Sequence, residues 1–209
     1  MKPIFITGTG TDVGKTLVAA IVTEALEADY WKPVQAGFAD GTDSLFVSSM
    51  LSNNKSKVHP ELYKLEMSAS PHLAAEAENI EIKIKDIVNH LPKTKNTLVI
   101  EGAGGLMVPL NKKKLMLNLI LKLDAKVIIV SKNELGSINH SLLTAAVLKK
   151  EKADVLGWIF NEEYKNYEEE IAGWSGFPVI ASVKHLPVIS KETIREEALK
   201  MRPLLKSVL

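Results

Sequence analysis

The sequence predicts an α/β fold: a single doubly wound domain with a mainly parallel sheet and helices on both faces. Three observations carry this. Short apolar β-type runs alternate with amphipathic helical stretches along the chain. Runs such as Val127-Ile128-Ile129-Val130 are apolar on both faces, as strands between two helix layers must be. No internal repeat, low-complexity tract or long linker divides the 209 residues, so residues 1–209 are expected to form one domain.

Taken in order, the expected elements are a strand over Pro3 to Ile6, a helix over Gly14 to Leu26, a weaker strand over Asp29 to Val34 and a helix over Ser44 to Leu51. A helix over Ile84 to Leu91 precedes a strand over Thr97 to Ile100 and a helix over Leu115 to Leu121. The last third alternates regularly. It has strands over Lys126 to Val130, Val155 to Phe160 and Pro178 to Ala181, and helices over Ser137 to Lys150, Lys165 to Trp174 and Lys191 to Met201. In such sheets ligands bind beyond the carboxyl ends of the strands, so the informative residues are expected just after the apolar runs.

Composition narrows the function classes. With 46% hydrophobic residues the chain can bury a sizeable core without staples. Twenty-six Lys and Arg against 25 Asp and Glu leave a net charge of +1, which argues against a broadly basic nucleic-acid binder; any charged ligand must be handled locally. Zero cysteines exclude a disulfide framework, a thiolate metal site and a cysteine nucleophile, and suit a reducing compartment. The apolar run after Met1-Lys2-Pro3 stops at Thr7-Gly8, too short for an export signal, and no run approaches a membrane span. A cytoplasmic protein, with neither membrane nor nucleic acid as partner, is expected.

The strongest local signal is Thr7-Gly8-Thr9-Gly10-Thr11-Asp12-Val13-Gly14-Lys15-Thr16, running from the first strand into the apolar helix Leu17-Val18-Ala19-Ala20-Ile21. Glycines let backbone N–H groups close around phosphate oxygens, and a helix N-terminus adds its positive dipole end. Lys15 is expected at the β- and γ-phosphates and the Thr16 hydroxyl on Mg²⁺. Five residues rather than four separate Gly8 from Gly14, so this loop is one residue longer than the common pattern. The expected fold is accordingly of the P-loop nucleoside triphosphatase type.

Other residues gather at strand ends. Glu101, closing the strand Thr97 to Ile100 before Gly102-Ala103-Gly104-Gly105, stands where such folds hold a second magnesium ligand. Asp43 fits either a third magnesium ligand or a helix cap, and Lys32, before Pro33, either a cation near the phosphates or a loop lysine. Ser137, in Leu135-Gly136-Ser137-Ile138-Asn139-His140, is the expected cap of a long helix whose N–H groups suit a substrate carboxylate as well as simple capping. Asn161 fits a nucleobase contact or a turn equally well. The five histidines lack metal-ligand spacing, and Lys112-Lys113-Lys114 reads as a solvated loop.

Jointly, the chain resembles the dethiobiotin synthetases of biotin biosynthesis. The match lies in the loop Gly8 to Thr16, Lys32-Pro33-Val34, Asp43, Ser70-Pro71-His72, Glu101 to Gly105 with Pro109-Leu110, Gly136 to His140, and Gly157-Trp158 with Asn161. The resemblance implies a homodimeric, ATP- and Mg²⁺-dependent ligase that converts 7,8-diaminononanoate and CO₂ to dethiobiotin through a carbamate and a carbamic-phosphoric anhydride. It implies that Lys32, Lys15 and Thr11 act on carbamate and phosphate, and that Gly10, Thr11, Asp12, Val13, Gly14, Lys15, Thr16 and Asn161 hold nucleotide. It further implies Thr16, Asp43 and Glu101 as Mg²⁺ ligands. Lys32 and Ala36 would face substrate, and Gly136, Ser137, Ile138 and Asn139 would receive its carboxylate across the dimer interface.

Three departures stand out: Asp12 where the family commonly has Glu, Ala36 where a hydroxyl residue is frequent, and Ala181-Ser182-Val183-Lys184 where a Gly-x-Ile-Pro segment lies near the adenine. Weaker purine contacts are therefore expected. The competing reading is a ParA- or MinD-like dimeric ATPase switch, which shares the fold; but Gly10 occupies the place of that group's signature lysine, and Pro203 is expected to interrupt the terminal helix that its membrane-binding members use. A third reading, a small-molecule kinase, would release a stable phosphorylated product.

Overall fold

A computed structural model describes residues 2–162, 165 and 167–209. Its elements are β1 (Ile4–Gly8), α1 (Lys15–Leu26), β2 (Asp29–Trp31), β3 (Val34–Ala36), α2 (Asp43–Met50), β4 (Val58–His59), β5 (Tyr63–Leu65), α3 (Pro71–Ala77) and α4 (Ile84–Asn89). They continue with β6 (Leu98–Gly105), α5 (Met116–Leu123), β7 (Lys126–Lys132), α6 (Ser137–Lys150), β8 (Asp154–Asn161), α7 (Tyr167–Ser175), β9 (Val179–Val183) and α8 (Lys191–Val208). Seven strands form one sheet in the order β4-β2-β6-β1-β7-β8-β9, and every pairing within it is parallel. β3 and β5 pair separately, also in parallel.

Two cores follow from the strand period of two. Ile4, Ile6, Tyr30, Val99, Ile128 and Val130 face α1, α2 and α8. Their sequence neighbours Phe5, Trp31, Ile100, Val127 and Ile129 face α3 to α7. Both faces of the central strands are buried, which explains their continuous apolar runs. β1 lies between β6 and β7, so the loops after β1 and β6 emerge side by side at the carboxyl edge.

The predicted strand over Asp29 to Val34 is corrected: it is two strands in different sheets. Pro33 has no N–H to continue a ladder, and the chain turns at Lys32-Pro33, where the Pro33 carbonyl accepts from Leu62 N (3.1 Å) and Tyr63 N (2.9 Å). β4, β5 and α3 were not expected, being too short to show a period. Asp29 helps hold β4 by accepting from Lys57 N at 3.0 Å and pairing with His59 Nε2 at 3.1 Å. The helix expected over Lys165 to Trp174 is α7; position 166 within that expectation lies outside the described residues.

A second correction concerns the C-terminus. Pro203 does not interrupt the terminal segment, since α8 runs through it to Val208. A proline inside a helix costs about 3 kcal/mol. Ile194, Ala198, Met201 and Leu205 are all buried on this helix, at roughly 1.5–3 kcal/mol for each large side chain, which outweighs that cost. The apolar face of α8 is thereby consumed against α1. No helix among the described residues is long and apolar enough to cross a membrane. Leu205→Ala, beyond the proline, should cost about 2–5 kcal/mol in urea unfolding; a cost under about 0.5 kcal/mol, as at an ordinary surface position, would show that the last turns are not docked.

Candidate active site

The loop between β1 and α1 is shaped by two unusual backbone positions and one distant side chain. Asp12 has φ 57° and Gly14, the N-cap of α1, φ 89°, both left-handed. Gly14 also lies against Asn161, since a Cβ there would sit 2.2 Å from the Asn161 amide nitrogen. That amide donates to the Val13 carbonyl at 3.2 Å, so the end of β8 braces the loop. Among the described residues no side chain caps α1, which leaves the N–H groups of its first turn available to an anion.

Lys15 folds back to donate to the Gly10 carbonyl at 2.8 Å. Burial pushes its ammonium below the ordinary lysine value, although the Glu101 charge pulls the other way. One helical residue further on, Thr16 Oγ1 donates to Glu101 Oε1 at 2.9 Å. Glu101 is fully buried in the middle of β6, which runs on to Gly105 rather than ending at Ile100 as expected, and has two more partners: Lys32 Nζ at 2.9 Å on Oε1 and the Tyr30 hydroxyl at 2.7 Å on Oε2. Lys32 also donates to Asp43 Oδ2. Burial alone would lower the Lys32 pKa, but the carboxylates of Glu101 and Asp43 outweigh it and hold it above the ordinary value. Burial, reinforced by the Glu101 charge, pushes the Tyr30 phenol well above its usual range, so it stays a donor.

Asp43 reaches this cluster from the first residue of α2. It is not the helix cap: Thr42 is, accepting from Leu45 N at 3.2 Å. Asp43 N in turn donates to Gln35 Oε1 at 3.2 Å. Ser137 is likewise not the cap of α6. Gly136 takes that position with φ 95°, a left-handed geometry that a serine would resist, and the buried Ser137 hydroxyl has no protein partner among the described residues.

Thr11, Asp12, Gly14, Lys15, Thr16, Lys32, Ala36, Asp43 and Glu101 all line one cavity of about 670 Å³, closed opposite by residues 68–71 and by Val108. Thr11 and Val108 also line a second cavity of about 440 Å³, shared with Gly10, Met107, His140 and Leu143. Gly136, Ser137, Ile138 and Asn139 lie outside both, at the start of α6. Val13 is buried in the α1-side core, and the Asn161 amide is spent on the loop. Tyr30, Gln35 and residues 68–69 were not singled out from the sequence. Their contribution depends on register and loop packing, for which the sequence carries no local sign.

The donor set suits a hard divalent cation. Thr16, Asp43 and Glu101 offer oxygen only, and both carboxylates already converge on one positive charge, that of Lys32. Mg²⁺ binds through few carboxylates and keeps several waters, so two acids and a hydroxyl fit it.

Parallel sheet, phosphate loop and acid on the neighbouring strand define the P-loop nucleoside triphosphatase fold. Solved structures agree. The cell division ATPase MinD of Pyrococcus furiosus superposes with TM-score 0.60 at 17% identity, covering 99% of this chain and 91% of that one. A ParA family ATPase of Chlorobium tepidum gives TM-score 0.56 at 14% identity, covering 99% and 91%. At such identities the likeness is of fold alone. A family model described as an AAA domain matches residues 2–193.

Sequence relatives are far closer. The ATP-dependent dethiobiotin synthetase of Cytophaga hutchinsonii is 48% identical over 204 residues, 96% of this chain and 97% of that one. Its counterpart in Christiangramia forsetii is 46% identical over 202 residues, 96% of each. The chain belongs to the ATP-dependent dethiobiotin synthetase family, and is therefore an enzyme. The switch reading rests on likeness of fold alone.

Because burial disfavours the charged Lys15 ammonium in the folded protein, its folded pKa lies below its unfolded one, and Lys15 costs stability at any pH below that folded value. Lys15→Met should therefore raise the melting temperature of the nucleotide-free protein. The gain should shrink as pH rises toward the unfolded lysine value, about 10.4. A variant that melts lower at pH 7.5 and equally low at pH 10 would overturn this sign.

Proposed function

We propose that the chain acts as a single domain catalysing ATP-dependent closure of the dethiobiotin ring from 7,8-diaminononanoate and CO₂. One amine takes up CO₂ as a carbamate, and a carbamate oxygen attacks the γ-phosphorus as ADP leaves. The second amine then attacks the carbamoyl carbon and expels phosphate, closing the cyclic urea. The observation that carries this reading is the meeting of Lys15, Lys32, Thr16, Asp43 and Glu101 around one cavity, in a chain whose full-length relatives are named dethiobiotin synthetases.

The residues have distinct tasks. Backbone N–H groups of residues 10–16 and the Lys15 ammonium hold the triphosphate, while Thr11, at the junction of the two cavities, faces carbamate and phosphate. Lys32 stays protonated because Glu101 and Asp43 flank it, and it offsets charge on the carbamate and transferring phosphoryl. Thr16, Asp43 and Glu101 would hold Mg²⁺, which supplies neutralisation of phosphate charge. The Ala36 methyl lines the cavity and leaves hydrogen bonding there to its neighbours. Asn161 acts on nucleotide through the loop it braces.

The start of α6, Gly136 to Asn139, lies outside the two cavities described above, which supports its serving a partner's substrate carboxylate in a homodimer. We place the enzyme in the cytoplasm, with small molecules as its other partners.

The test is product stoichiometry: diamine, bicarbonate and Mg²⁺-ATP should give ADP, phosphate and dethiobiotin in equal amounts, and ADP without ring product would refute the reading. Lys32→Ala should lower kcat/KM about 10³-fold, roughly 4 kcal/mol of transition-state stabilisation. An unchanged kcat/KM would remove Lys32 from the mechanism.

A further inference from the structure

Glu101 gives its two oxygens to different surroundings. Oε1 accepts from Thr16 and Lys32, both at 2.9 Å, and so belongs to the loop and the cavity. Oε2 accepts the Tyr30 hydroxyl at 2.7 Å, and both side chains are shielded from solvent. The register explains the reach. Tyr30 on β2 stands opposite Val99 on β6; Val99 and Glu101 share a face, so the phenol runs up that face toward the acid.

The surrounding core makes the hydroxyl conspicuous. Its neighbours in the buried apolar cluster facing α1 are aliphatic or Met, among them Ile4, Val18, Val22 and Val99. Phenylalanine would fill the same apolar space. What tyrosine adds is one donor, spent on the Glu101 oxygen that the loop and the cavity do not use.

With Oε2 directed at the buried phenol and Oε1 at the loop and cavity, the carboxylate presents a single oxygen to a cation on the cavity side. Mg²⁺ demands near-octahedral geometry at about 2.0–2.1 Å and keeps its waters, so one carboxylate oxygen serves it well. Ca²⁺ takes roughly six to eight oxygens and accepts carboxylates through both. We propose that Tyr30, by holding Glu101 Oε2, confines Glu101 to one-oxygen ligation and so favours Mg²⁺ over Ca²⁺ at the site formed by Thr16, Asp43 and Glu101. The inference rests on the metal-ligand reading above. Tyr30 touches neither substrate nor metal; it is a positioning residue acting through Glu101.

The test titrates Mn²⁺ into enzyme with ADP, follows bound metal by electron paramagnetic resonance, and uses Mg²⁺ and Ca²⁺ as competitors, for wild type, Tyr30→Phe and Glu101→Gln. In wild type, Mg²⁺ should compete about tenfold better than Ca²⁺, and Tyr30→Phe should narrow that preference about fivefold or more, mainly by tighter Ca²⁺ binding. An unchanged ratio in Tyr30→Phe, with or without a lower melting temperature, would leave the hydroxyl a purely structural role and overturn the proposal. Wild type that binds no Mn²⁺ beyond free ADP, or Glu101→Gln that binds it equally well, would instead end the metal-ligand reading itself. Should Tyr30→Phe not fold, Tyr30→Met, an apolar residue of a kind this core already holds, takes its place: a narrowed ratio supports the proposal and an unchanged one overturns it.

Discussion

A buried carboxylate needs partners, and the site is organised around that need. Glu101 has no contact with bulk solvent, so its charge must be met by hydrogen bonds and by an opposite charge. Thr16 comes from α1, Tyr30 from β2 and Lys32 from the corner after β2. One acid thus ties three consecutive pieces of the chain to β6. Removing Lys32 leaves that charge uncompensated, and removing Thr16 or Tyr30 leaves one of its oxygens a donor short, so these residues are coupled in stability as well as in chemistry.

The sheet order makes the arrangement possible. With β1 between β6 and β7 and β2 on the far side of β6, the phosphate loop, Glu101 and Lys32 emerge on one edge within reach of each other. The turn at Pro33 then carries the chain out of the main sheet into β3, placing Gln35 and Ala36 across the cavity. Helices on both faces keep the sheet dry, while the open edge keeps the site accessible.

Much of this was legible in the sequence, because the phosphate loop and the strand feeding it are contiguous. Lys15 and Thr16 open the apolar helix after the glycine-containing loop, and Glu101 follows directly from an apolar run, so position alone pointed to the carboxyl edge. What the sequence hid was long-range or short. Tyr30 acquires its role only through the register that sets it opposite Val99. β4, β5 and α3 are too brief for a period to emerge above chance. Thr42 and Gly136 cap helices where Asp43 and Ser137 looked suited, since capping is decided by backbone geometry one residue away. Helix α8 crosses Pro203 because the burial of residues beyond it outweighs a local penalty that sequence reading treats as decisive.

The bracing of Gly14 and Val13 by Asn161 joins positions 148 residues apart for the Val13 bond. The wall behind the phosphate loop is therefore supplied by one of the last strands to be synthesised. A nascent chain that has already released β1 and α1 from the ribosome still lacks the support that shapes its loop. The loop gains this brace only once β8 has joined the sheet, so the motif translated first is among the last to be completed.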